Sequence, residues 1–373
     1  MKKHIQYLST ISYPTYRASG TQIKNMCQSL SQCQNVTLIS PSLQNPFTTT
    51  TQALQHQSLP SINGVKHAPS ILKSISFFIW TLTFYISAVV YLMFKNRKQN
   101  LVYTREPYAA LITTLLGFNT ILELHDFPHT IIGKIIHKFI MDKNRKVIVI
   151  NQQLKKMIST LTNNIKIHVA PSSVSKEWLV SISKPKARKN LNLDNSKKYI
   201  VYTGSIGLSK GVQTIIDTIN HFPNDKYQFM FAGRVENNHL LQQLKNSSNS
   251  TYLGVLPHSR IKTILAAADI LLLPNSDQHL QFSQYTSPMK LFEYMASRRP
   301  IIATNIKAIQ EYQSYLTLVP PQDPQALAVA IKQICSNTQD SSIKQKIEDA
   351  YQFVCKNTWD HRTKKILEFI YDH

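Results

Sequence analysis

No aspartate or glutamate occurs before Glu106, although ten lysines and arginines do. Through residue 180 there are 19 basic and 5 acidic residues, so this part carries +14 of the chain's formal +22. Such an exterior should be drawn to anionic partners, and each basic residue near an anionic lipid surface contributes roughly 1 kcal/mol. Nucleic acid is the other partner a pI of 9.7 suggests. No helix-turn-helix, zinc-ligand or single-strand-binding pattern accompanies the charge, so nucleic acid is not expected. Cysteine is scarce: Cys27, Cys33, Cys335 and Cys355 have no metal-like spacing and are too few for a disulfide framework. A reduced, cytoplasmic chain is therefore expected. The N-terminus is polar and has no apolar segment of the kind that directs secretion.

Charge is also absent from 74–94, SISFFIWTLTFYISAVVYLMF, which is bounded by Lys73 and by Lys95, Arg97 and Lys98. By length alone this segment could span a bilayer. Its aromatic residues Phe77, Phe78, Trp80, Phe84, Tyr85 and Tyr91 suit a helix lying in a membrane interface, and surface contact or plain core is expected ahead of a span. The whole chain, 373 residues, is long for one compact core and suits two domains. Strand patterns alternating with helical ones imply parallel βαβ units, hence an α/β class with two open parallel sheets. The polar, lysine-rich stretch 181–198 is expected to link them. The expected division is 1–180, the linker, 199–355, and a last helix within 356–373.

Two segments carry the chemistry. Residues 200–219, IVYTGSIGLSKGVQTIIDTI, read as a strand, a glycine-containing loop and a helix with Val212, Ile215, Ile216 and Ile219 on one face. Lys210 stands at the start of that helix beside Gly204, Gly207 and Gly211. Glycines let backbone N–H groups approach an anion, and the lysine adds a mobile positive charge. Residues 285–304, YTSPMKLFEYMASRRPIIAT, read as a proline turn, a helix over 289–297 and a β-branched strand. Lys290 and Glu293, three apart, share a face of that helix. Its unpaired N-terminal N–H groups suit a diphosphate, and Glu293 a pair of sugar hydroxyls. An ion-paired surface helix would give the same pattern.

Together with FMFAGRVE (229–236), YLGVLPHSRI (252–261) and AAADILLLPNS (266–276), these segments resemble the donor-binding half of the GT-B glycosyltransferases of family 4. The front of the chain is similar to the same family. HIQYLSTISYPTYRASG leads into a helix with Ile23, Met26, Cys27 and Leu30 at helical spacing, and 100–128 read as strand, helix and a strand ending at His125. The resemblance covers nearly the whole chain and is weakest over 42–99.

It implies a GT-B architecture, two Rossmann-like domains facing each other across a cleft, with the last helix returning to the N-terminal domain. It also implies a retaining transferase that takes a nucleotide-diphosphate sugar as co-substrate, with no other cofactor. A saccharide or lipid-linked acceptor in envelope polysaccharide or glycolipid synthesis would follow, with the chain peripheral on the inner membrane face. No metal is expected, because the Asp-x-Asp element of the metal-dependent alternative fold is absent and fixed cations can stabilise the leaving group. By the resemblance His125 and Lys210 are the catalytic candidates. Gly20, Gly204, Gly211, Arg234, Val255, Ser287, Met289, Lys290 and Glu293 are the donor-binding candidates.

Several positions depart from the family pattern. Tyr285 replaces the first glutamate of Glu-x7-Glu, and Ser205 replaces an arginine after the loop glycine, for which Arg234 or Lys290 could compensate. Pro288 removes one N–H from the phosphate-binding turn. Arg298 stands where glycine commonly ends the helix, and a left-handed arginine there costs about 1 kcal/mol. These departures leave open a degenerate GT-B binding or scaffold subunit and an epimerase or hydrolase of the same fold. The uncharged segment leaves open a single-span membrane protein.

Overall fold

The computed structural model describes residues 3–13, 18–41, 55–59, 70–223, 225–278, 283–285, 287–337 and 339–372. The chain divides into two compact units, Met1–Pro171 with Trp359–His373, and Ser172–Thr358.

In the first unit, β1 (His4–Leu8), α1 (Ala18–Ser31), β2 (Val36–Pro41), β3 (Gln55–Leu59) and α2 (Ser70–Met93) come first. They are followed by β4 (Asn100–Thr104), α3 (Pro107–Leu115), β5 (Asn119–Leu124), α4 (Ile131–Asn144), β6 (Lys146–Val149), α5 (Gln152–Ile158) and β7 (Lys166–Val169). The strands lie in the order β3-β2-β1-β4-β5-β6-β7, and every pair is parallel. Parallel neighbours require crossovers, so helices cover the sheet and its central strands are buried, whereas the edge strand β3 is polar and mostly exposed. β4 is buried along its whole length. The order reverses between β1 and β4, which opens a crevice beyond their carboxyl ends.

α1 buries Ile23, Met26, Cys27 and Leu30, the face its spacing predicts. Gly20, read as a loop glycine, is instead the third residue of this helix. The uncharged segment forms most of α2. Phe84, Ala88 and Leu92 enter a core with Leu8, Ile39, Val102 and Phe118, while Leu82, Ile86 and Val90 on the opposite side are exposed. Among the described residues no helix is long and apolar enough to cross a membrane. The single-span reading is thereby corrected: a helix that gives one stripe to a sheet cannot surround itself with lipid.

The second unit opens with α6 (Lys176–Leu179), α7 (Lys184–Asn190), β8 (Lys198–Thr203), α8 (Val212–Ile219), β9 (Tyr227–Ala232), α9 (Asn238–Asn246) and β10 (Ser250–Tyr252). It continues with α10 (His258–Ala267), β11 (Ile270–Leu273), α11 (Met289–Ala296), β12 (Ile301–Thr304), α12 (Lys307–Gln310), β13 (Thr317–Val319), α13 (Pro324–Ser336) and α14 (Ser341–Cys355). Its sheet, β10-β9-β8-β11-β12-β13, is also parallel and reverses between β8 and β11. Successive residues of β11 feed opposite cores: Leu271 and Leu273 one, Ile270 and Leu272 the other. α8 packs Val212, Ile215, Ile216 and Ile219 into the second core, each such side chain stabilising by roughly 1.5–3 kcal/mol.

The stretch expected as a linker carries α7 inside this unit. Its charge is used internally: the Arg188 guanidinium reaches Asp269 at 2.6 Å and lies 5.1 Å from the Tyr199 ring. Arg298 ends α11 with φ 55°, the left-handed conformation that disfavours a side chain. Its guanidinium lies 3.7 Å from the Tyr351 ring and 3.2 Å from Glu348, contacts that offset the backbone cost. The last helix, α15 (Trp359–Tyr371), belongs to the first unit.

Candidate active site

In the second unit the site residues gather where the strand order reverses. β8 ends at Thr203, and Gly204 and Ser205 follow. A single 3₁₀ turn over Leu208–Lys210 leads through Gly211 into α8. Gly211 has φ 68°, and a Cβ there would lie 1.5 Å from the Pro274 carbonyl oxygen, so the loops after β8 and β11 close on each other only with glycine. Lys210 therefore stands two residues before α8, in the crevice that parallel sheets offer to ligands.

Lys290 enters the same place from α11. A Cβ on Gly204 would lie 1.8 Å from the Lys290 Nζ, so the missing side chain at 204 is the space the ammonium occupies. The ammonium lies 4.9 Å from the centroid of the Tyr202 ring and forms no ion pair with Glu293. The surface-pair alternative for this helix is thus corrected. Burial drives the Lys290 ammonium down to about 8, with Lys210 adding to the effect and Glu293 opposing it. Burial likewise raises the Glu293 carboxyl to about 7 against the pull of Lys290. Burial also lowers Lys210, countered by Glu236. Among the described residues neither Lys290 nor Glu293 has an ion-pair partner, and burial shifts each toward its neutral form, a state common at functional sites.

The other donor-side candidates are placed differently. Met289 opens α11 and is half-buried, and the hydroxyl of Ser287 accepts from the Ser172 backbone N–H at 2.9 Å. Arg234 is exposed and its guanidinium is engaged by Glu236 at 2.8 Å. Burial would raise the Glu236 carboxyl, but Arg234, Ser205 and Lys210 together hold it low. Val255 is exposed in the loop after β10, beside Gly254, whose carbonyl accepts from Gly233. Tyr285, at the position of the family's first glutamate, is only 2 % exposed and belongs to the interior.

In the first unit His125 follows β5 at the carboxyl edge of the sheet. Its Nδ1 lies 3.0 Å from Arg105, which can only donate, so Nε2 carries the proton and donates to Glu123 at 2.7 Å. Burial first and Arg105 second depress the imidazole to about 4, so His125 is neutral at physiological pH. Glu123 also accepts from the Tyr103 hydroxyl and pairs with Arg362 of α15 at 2.9 Å. Burial would push the Glu123 carboxyl up; Arg362 and His125 hold it well below the usual carboxylate range.

Sequence reasoning missed Tyr202, Glu236, Arg105 and Glu106. Arg105 and Glu106 directly follow β4 at the reversal point, where Glu106 accepts from the Thr10 backbone N–H at 2.6 Å. Their place at the end of a strand was the available signal. Tyr202 gave none, because its partner lies 88 residues away in sequence.

Residues 197–337 match the sequence pattern of the family glycosyl transferases group 1. The probable glycosyltransferase WbjE of Pseudomonas aeruginosa is 23% identical over 253 residues, 60% of this chain and 62% of that protein. The putative teichuronic acid biosynthesis glycosyltransferase TuaC of Bacillus subtilis is 26% identical over 151 residues, 40% of this chain and 36% of that one. The chain thus spans less than two thirds of the length of these curated relatives. Sucrose-phosphate synthase from Thermosynechococcus elongatus has a similar fold, with a TM-score of 0.79 at 16% identity over 98% of both chains. Anabaena Alr3699/HepE, solved in complex with UDP and glucose, gives 0.73 at 14% identity over 100% of both chains. With two parallel sheets of 7 and 6 strands, the chain has the GT-B fold, and within its second unit residues 197–337 are similar to the glycosyl transferases group 1.

Proposed function

We propose that the chain is a retaining, metal-independent glycosyltransferase. It moves a sugar from a nucleoside-diphosphate donor to a saccharide or lipid-linked saccharide acceptor in envelope polysaccharide or glycolipid synthesis, working at the inner face of a membrane. The observation that carries this reading is the Lys290 ammonium standing in the space left by Gly204, in the crevice that also receives Lys210. As the bond between the anomeric carbon and the diphosphate breaks, negative charge develops on the departing phosphate. Lys210 and Lys290 meet that charge, Lys290 standing in for the arginine that is Ser205 here. The N–H groups of Met289 and Lys290 at the start of α11 add the positive end of a helix. Glu293 takes the ribose hydroxyls, and His125 is the contact to the transferred sugar. The other donor contacts are Gly20, Gly204, Gly211, Arg234, Val255 and Ser287.

The test is a thermal-shift and calorimetric screen against UDP, GDP, ADP, CMP and their sugar conjugates. A nucleotide at about 100 times its Kd stabilises by roughly 2.7 kcal/mol. The donor is expected to do so for the unaltered chain and not for Lys290→Ala. Equal stabilisation of both proteins would remove Lys290 from the diphosphate site.

Tyr285 favours a second reading. With an interior tyrosine in place of a carboxylate, the site lacks one contact to the transferred sugar, and a binding subunit would keep nucleotide affinity without transfer. Nucleotide binding with no turnover on any saccharide acceptor would select that reading.

A further inference from the structure

Most of the large apolar side chains that stand exposed among the described residues belong to one layer of the first unit. On α2 the exposed stripe Leu82, Ile86, Val90 and Met93 lies opposite the buried stripe Phe84, Ala88 and Leu92. α3 packs beside α2 and exposes Tyr108 and Leu115; α4 packs beside α3 and exposes Ile131, Ile132 and Ile135. The chain crosses between strands to the same side each time, so these helices form one sheet-covering layer. Single exposed apolar residues need no explanation, but a contiguous patch over three neighbouring helices does.

The charge around this patch is mainly positive. Arg97 and Lys98 follow α2, Lys134 and Lys138 share a face of α4 with Ile131 and Ile135, and all four are exposed. The one acidic side chain on the three helices, Asp142, is paired to Lys138 at 3.0 Å. Apolar residues beside lysine and arginine match the acyl boundary and anionic headgroups of a phospholipid surface. A second copy of this chain would bring the same positive charges against these, so charge complementarity favours lipid.

We propose that the outer face of α2, α3 and α4 docks on an anionic phospholipid bilayer. The helices run antiparallel to the strands, so Tyr108 and Ile131, in the first turns of α3 and α4, lie at the sheet edge that bears Arg105 and His125. Docking would bring that edge to the membrane surface, where an acceptor carried on a lipid presents its saccharide. This consequence rests on the proposed glycosyl transfer; the docking does not.

The test is co-sedimentation of the full chain with phosphatidylcholine vesicles, with and without phosphatidylglycerol, in the absence of donor and acceptor. Binding is expected to be about tenfold or more tighter with phosphatidylglycerol and to weaken as salt rises. Lys98→Glu with Lys134→Glu should lower it about tenfold or more, and Ile131→Ser with Ile135→Ser should lower it as well. The exposed pair Lys189→Glu with Lys245→Glu on the second unit should leave it unchanged. No binding to phosphatidylglycerol vesicles, or an equal loss in the second-unit pair, would overturn the proposal. A lipid-free dimer that Ile131→Ser with Ile135→Ser dissociates would give the face to a second copy instead. Because the assay needs no turnover, its failure would leave the nucleotide-binding result standing.

Discussion

The two units place polar clusters at equivalent positions, the carboxyl edge of a parallel sheet, and treat charge in opposite ways. In the first unit Glu123 is closed in by Arg362, His125 and Tyr103, and its carboxyl is held in the ionised form. In the second, Lys290 and Glu293 stand without ion-pair partners among the described residues, and burial pushes each toward neutrality. One cluster is complete in the folded chain. The other, on the donor side of the proposed reaction, would acquire its partners on binding. A satisfied buried network fixes geometry, whereas an unsatisfied one keeps free energy available for a ligand.

The largest effect that could break this comparison is on stability. Arg362→Ala would leave Glu123 buried without its guanidinium and should destabilise by about 3–5 kcal/mol, read by urea or thermal unfolding. Lys290→Met removes an uncompensated charge and should leave unfolding stability unchanged or raised. If the two variants cost the same, the clusters do not differ in kind.

Next in size is catalysis. Lys210→Ala should lower turnover by about 10² or more with the thermal transition unmoved, because a leaving-group contact acts in the transition state. Unaltered turnover would place Lys210 outside the reaction.

The comparison is sharpened by protons. Lys290 falls from 10.5 to about 8, so its share of stability is full above 10.5 and is lost as pH falls through about 8. Glu293 rises from 4.5 to about 7, so its share is full below 4.5 and is lost as pH rises through about 7. A bound diphosphate favours charged Lys290, and ribose hydroxyls favour charged Glu293. Nucleotide binding should therefore take up protons near pH ~8.5 and release them near pH ~6.5, seen as buffer-dependent calorimetric enthalpies of opposite slope. Enthalpies independent of buffer at both values would show that the ligand does not reach this pair.

The smallest expected effect tests a helix end. Arg298→Gly relieves about 1 kcal/mol of left-handed strain but gives up the contacts with Tyr351 and Glu348, so the net change in unfolding free energy should stay within about 1 kcal/mol.

Regular features of both units were legible because they repeat along the chain. The spacing of Val212, Ile215, Ile216 and Ile219 defines α8, and β-branched runs define buried strands. α2 was harder to read, since both of its faces are apolar and the 3.6-residue period that separates core from exterior leaves no polar mark. The stretch 181–198 looked like solvated linker because sequence does not tell that Arg188 would meet Asp269. Lys290 and Gly204 were each legible as candidates, but their meeting was not, because it depends on how α11 lies across the end of β8. His125 was legible at a strand end, whereas the engagement of both its nitrogens required the positions of Arg105 and Glu123.

The return of α15 to the first unit fixes an order of events during synthesis. Arg362 emerges from the ribosome only after the whole second unit has been translated, so Glu123 waits for its counter-ion through some two hundred residues of elongation. The first unit, begun before the second, is completed after it.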